Sequence, residues 1–84
     1  IASRYMSDQE QRLCNEEWWL AAVWCAKETL YKIAGREGID FLRDTIITGV
    51  DTSAKRIECR NVGGKPVTLR YAMSDEEHII CYKL

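Results

Sequence analysis

The run from Glu16 to Ala34 contains neither glycine nor proline, and Gly35 and Gly38 follow it directly. Within the run, apolar residues recur at Trp19, Val23, Ala26, Leu30 and Ile33, steps of four and three that keep one side of a helix in a core. This is the long helix of the chain, and its apolar face sets what every other element has to cover. Asn15 is placed to cap it, Gly35 stands where a helix end wants a residue able to take positive φ, and Gly38 gives the next loop a second hinge. Upstream, Ser7 followed three positions later by Glu10 is a capping box, which starts a short helix running towards Cys14.

Beyond Gly38 the apolar period changes from helical to extended. Thr45 to Val50 is rich in β-branched residues, Arg56 to Val62 sets Ile57, Cys59 and Asn61 against charged neighbours, and Val67 to Ala72 alternates again. Gly63-Gly64 reads as a two-residue hairpin turn with Pro66 just past it. Ser74 to Glu77 reads as a second turn, and His78 to Lys83 as a closing strand. The expected class is α+β: one long helix and one short helix packed on a small, mostly antiparallel sheet of three or four strands, all in a single domain over residues 1–84.

A chain of 84 residues buries a smaller share of its surface than a larger domain does, so its core is thin. Its apolar content of 46% and its three tryptophans nevertheless set it apart from disordered sequences. With 12 basic and 13 acidic side chains there is no basic stripe, which argues against nucleic acid as a partner. No stretch reaches the apolar length of a membrane span. Cys14, Cys25, Cys59 and Cys81 fit neither paired zinc-ligand spacing nor a recognisable disulfide framework, and free thiols point to a reducing, cytoplasmic setting.

At about 100° per residue, Trp24, Glu28 and Lys32 lie along one stripe of the long helix, with Lys27 beside them. One face is expected to bury and the other to present a carboxylate between two ammonium groups. Taken alone, Glu28 before Lys32 is a favourable i,i+4 ion pair worth a few tenths of a kcal/mol on any solvated helix. Glu10, as the third residue of the capping box, can likewise do no more than bond the backbone at Ser7. Trp18 and Trp19 read either as core or as a surface that another domain covers. The lone His78 sits at a turn with no partner pattern, and Gly63-Gly64-Lys65 lacks the spacing of a phosphate loop.

The string Trp24-Cys25-Ala26-Lys27-Glu28-Thr29-Leu30-Tyr31-Lys32 closely resembles the Trp-x-x-Lys-Glu-Ala-x-x-Lys signature of the 4'-phosphopantetheinyl transferases. Arg4-Tyr5-Met6-Ser7-Asp8-Gln9-Glu10 is similar to that family's Arg-Phe-Phe-Ser-x-x-Glu segment at a similar distance upstream, and the Gly35 to Gly38 loop and closing strand also resemble family features. The resemblance implies transfer of the phosphopantetheine arm of coenzyme A to a serine of an acyl or peptidyl carrier protein, with Mg²⁺ neutralising the pyrophosphate. It assigns Glu28 to the metal, Lys32 to a coenzyme A phosphate with Lys27 adding charge beside it, and Glu10 to a base or water-positioning role, which needs reach to the serine hydroxyl.

The family supplies further metal ligands from a Gly-Ile/Val-Asp-x-Glu strand before the Ser-x-x-Glu segment, and nothing in this sequence matches it. Gly49-Val50-Asp51 shares its first letters but follows the Lys-Glu helix, and reads as strand end and turn. Together with Ile1 in place of Met, this leads to the expectation of a C-terminal half of a long-form, surfactin-synthetase-activating type enzyme. Such a half would be inactive alone and prone to self-association through the surface left bare. The competing reading is a non-catalytic domain that binds a protein through its Trp-rich surface.

Overall fold

A computed structural model of the chain describes residues 4–75 and 78–83. Two helices, α1 (Asp8–Gln11) and α2 (Trp19–Ala34), precede four strands, β1 (Ile46–Asp51), β2 (Arg56–Asn61), β3 (Lys65–Asp75) and β4 (His78–Lys83). The strands form one antiparallel sheet in chain order, β1-β2-β3-β4. The class is therefore α+β, as the change of period predicts.

One face of the sheet is covered by α2. Along β2 the alternation is strict, with Ile57, Cys59 and Asn61 buried and Arg56, Glu58 and Arg60 exposed. From β3, Val67, Leu69 and Tyr71 point to the same side, and Ile47 joins them from β1. Against this layer α2 sets Trp19, Ala22, Val23, Ala26 and Leu30, while Met6 and Trp18 close one end of the core. Trp18 packs on Tyr71 with ring centroids 5.4 Å apart, so the Trp18-Trp19 pair belongs to this core.

Local backbone chemistry sets most boundaries. Ser7 accepts from the Glu10 amide at 3.1 Å and the Glu10 carboxylate accepts from the Ser7 amide at 2.8 Å, which completes the capping box. Gly35 ends α2 in the left-handed region at φ 66°, and its N–H donates to the Tyr31 carbonyl.

Three boundaries differ from the sequence expectation. Helix α2 begins at Trp19 behind Trp18, with no side-chain cap, and Asn15 stands exposed outside it. Here tertiary burial overrides capping preference: the Trp19 ring is buried and its indole N–H donates to the Glu10 carbonyl at 2.8 Å, which fixes where the helix can start. Ile33 lies outside the core, 38% exposed, because the buried stripe of the helix ends at Leu30. The β2-β3 connection is a single 3-10 turn over Val62–Gly64, with Asn61 paired to Lys65 and both glycines at positive φ, and so is one residue longer than a two-residue hairpin. Pro66 sits exposed near the start of β3, a position a sheet tolerates. The expected turn over Ser74 to Glu77 falls partly outside the described residues, and β3 runs on to Asp75.

Candidate functional site

The buried stripe of α2 consists of Trp19, Ala22, Val23, Ala26, Lys27 and Leu30. A lysine thus occupies a core position, and Lys27 departs from the expected surface stripe. Its side chain is fully out of solvent. Burying an ammonium is costly unless it is paired and hydrogen-bonded. Lys27 Nζ donates to Glu10 Oε1 at 3.0 Å and to the Phe41 carbonyl at 2.7 Å, and lies 2.9 Å from Glu10 Oε2 in an ion pair. Burial pushes the ammonium below the ordinary lysine range, and the hydrogen bond and charge of Glu10 hold it up.

Glu10 is equally enclosed, with 1% of its side chain exposed. Besides the two contacts from Lys27, its oxygens accept from the Ser7 amide at 2.8 Å and the Ile47 amide at 2.7 Å. Three hydrogen bonds and the ion pair thus satisfy both oxygens of the buried carboxylate. The pair therefore ties together α1, α2, the loop at Phe41 and the start of β1. Both capping and a reactive role are open for Glu10 on sequence grounds; this geometry realises the cap and holds the carboxylate out of solvent.

Glu28 and Lys32 lie on the opposite side of α2, one turn apart and both exposed. Their stripe begins at Trp24, 44% exposed, whose ring meets Tyr5 edge-on at 5.0 Å and Phe41 at 5.5 Å. Arg4, Tyr5, Trp24 and Phe41 line an open apolar cleft of about 530 Å³. A second aromatic contact, Tyr31 on Phe41 at 5.7 Å, continues this surface along the helix past Glu28. An exposed carboxylate, an exposed cation and an aromatic cleft thus share one face of a helix whose other face is anchored by the Lys27-Glu10 pair.

Mg²⁺ takes near-octahedral oxygen coordination, usually with one or two carboxylates, and phosphate oxygens and water fill the rest. Glu28 fits one such position. No group of three His, Cys, Asp or Glu that could hold a metal ion occurs among the described residues. Asp51, from the Gly-Val-Asp string, turns its carboxylate onto the Ser53 and Ala54 amides at 3.0 and 2.9 Å, as the strand-end reading predicts. By themselves these residues do not make a magnesium site. Sequence reasoning missed the inward direction of Lys27. The signal was there in the spacing, since Lys27 stands four residues after Val23 and three before Leu30, but its partner lies on a different element.

The fold and this helix define an α+β domain with a Lys-Glu pair divided between core and surface. Residues 1–83 match the model of the 4'-phosphopantetheinyl transferase superfamily, and the chain belongs to that superfamily. Phosphopantetheine transfer with coenzyme A as donor is the activity this family implies. No curated protein and no solved structure matches the chain. No helix among the described residues is long and apolar enough to cross a membrane.

Proposed function

We propose that this chain presents the coenzyme A-facing helix of a holo-carrier-protein synthase, which moves 4'-phosphopantetheine from coenzyme A to a serine of an acyl or peptidyl carrier protein. The observation that carries this reading is the split of the Lys27-Glu28 pair. Lys27 points inward to lock the helix, and Glu28 points outward, one turn before Lys32, in a chain matched to the superfamily over nearly its whole length.

In this reading Glu28 and Lys32 are the groups that touch substrate. Lys32 places positive charge against a phosphate of coenzyme A, and its long stem lets the ammonium follow the phosphate without moving the backbone. Glu28 contributes one carboxylate to Mg²⁺, which when bound would offset charge on the pyrophosphate. The remaining ligands come from the substrate, water and carboxylates that these residues do not include. Glu10 and Lys27 act as positioning residues. Their buried pair fixes the rotation of α2 about its axis, and so the direction in which Glu28 and Lys32 project. The 84-residue chain alone is accordingly inactive in transfer, and its setting is cytoplasmic, where coenzyme A and carrier proteins meet.

The non-catalytic alternative is not favoured, because the superfamily match takes in both specific segments in order. Titration of coenzyme A into the chain tests the phosphate role. Lys32→Ala should weaken binding several-fold and flatten its salt dependence, since an exposed lysine contributes through screened charge. Unchanged affinity and unchanged salt dependence would remove Lys32 from the site.

A further inference from the structure

Cys25 on α2 and Cys81 on β4 are far apart in sequence and face each other where the helix crosses the edge strand. The Cys25 thiol lies 3.6 Å from the Ile79 carbonyl, and the Cys81 thiol 3.9 Å from the Ala22 carbonyl. Each sulfur therefore reaches the backbone of the other's element. Small side chains at Ala22 and Ala26 allow this approach, and the Thr29 hydroxyl, 3.4 Å from the Cys81 carbonyl, holds the same crossing one turn further on. A disulfide needs its two Cβ atoms about 4 Å apart, which is a distance a helix and a strand reach only at such a close crossing.

The four cysteines are not equivalent. Cys59 is buried, whereas Cys25 and Cys81 are each partly open to solvent and within reach of a small oxidant. We propose that Cys25 and Cys81 are a modification site: a hydroperoxide converts them to a reversible disulfide that staples α2 to β4. In the first step the Cys25 sulfur attacks the peroxide oxygen, giving a sulfenic acid and releasing water or an alcohol. In the second, the Cys81 sulfur attacks the sulfur of that sulfenic acid, the S–O bond breaks, and the hydroxyl leaves as water with the Cys81 proton. Both sulfurs are oxidised by one electron each, and the peroxide takes up the two electrons and two protons. Burial and the neighbouring Cys25 push the Cys81 thiol well above its ordinary range, which makes it the poorer sulfur for the first attack. The link would fix the helix three residues before Glu28.

The test is hydrogen peroxide treatment of the folded 84-residue chain, followed by alkylation under denaturing conditions and peptide mapping by mass spectrometry. The expected product has lost two hydrogens and joins the peptides of Cys25 and Cys81, with Cys14 and Cys59 alkylated. Its melting midpoint rises on oxidation and returns on treatment with dithiothreitol, because the cross-link restricts the unfolded chain. Cys25→Ser and Cys81→Ser, each a small and conservative change, should show neither the link nor the shift. A bond from either residue to Cys14 or Cys59, a link between two chains, or oxidation to sulfinic acid without a link would overturn the proposal.

Discussion

Lys27 and Glu10 stand 2.9 Å apart with both side chains removed from solvent, the one from the long helix and the other from the capping box of the short one. Two residues that sequence assigns to separate jobs are one structural unit. Its purpose in the fold is orientation, since the pair joins α1, α2, the Phe41 loop and β1 at one point.

Removing one partner of that unit leaves the other as an uncompensated buried charge. Lys27→Met keeps the volume of the side chain but should cost about 3–5 kcal/mol, a large part of the stability of a domain this small. Lys32→Met, on the exposed stripe, should change stability by no more than about 0.5 kcal/mol. Urea unfolding of both variants distinguishes the two lysines, and equal effects would contradict the division of roles along α2.

Asn61 fastens the far end of the same helix. Buried at the end of β2, it donates from Nδ2 to the Leu30 carbonyl at 2.9 Å, and its Oδ1 accepts from the Val62 amide at 2.9 Å. Asn61→Ala should destabilise the chain by about 1–3 kcal/mol, because it removes a buried bond from strand to helix as well as a cap. Amide exchange near Leu30 and Val62 should quicken with it; unaltered exchange there would mean the bond contributes nothing.

The parts of the fold legible in the sequence are those governed by local chemistry. The Ser7-Glu10 box, the Gly35 helix end and the period-two pattern of β2 each depend on neighbours within a few residues. What escaped depended on partners distant in the chain. Asn15 offers a good cap, yet the buried Trp18-Trp19 pair sets the helix start. A lysine at a core position of the helical period looks like a surface residue until Glu10, on another element, supplies its counter-charge. For the site, the exposure of Glu28 and Lys32 follows from helical geometry, whereas the enclosure of Glu10 could be known only once β1 delivered the Ile47 amide to it.

Alkali should destabilise the protein in part through its core thiol. Burial, with Glu58 adding to it, pushes the Cys59 thiol from 9.0 up to about 12. A raised acid contributes stability that is complete below its unfolded value and is lost as pH rises towards the folded one, since the unfolded state releases its proton first. Between pH 9 and 12 this residue should lower stability by at most about 1.4 kcal/mol per pH unit. Cys59→Val should flatten the curve of unfolding free energy over pH 9 to 10.5 relative to the unsubstituted chain. Parallel curves would show that Cys59 is not the group responsible.

The outward direction of Glu28 is the centre of the functional account, and Glu28→Gln probes it with little change in shape. Gln keeps the size and polarity of the side chain and removes the charge proposed to help hold Mg²⁺. An exposed carboxylate near a lysine contributes at most about 1 kcal/mol to folding, so stability should be preserved. The measurement is incorporation of labelled pantetheine into an apo carrier protein, with and without Mg²⁺, by the product of the complete reading frame that contains these residues, beside a melting curve for each protein. Expected are Mg²⁺-dependent transfer by the unsubstituted product, near-complete loss of it in Glu28→Gln, unchanged melting, and no transfer by the 84-residue chain alone. Transfer by Glu28→Gln at close to the unsubstituted rate would contradict the role proposed for Glu28 and reduce Glu28 and Lys32 to solvated charges on the surface of a helix.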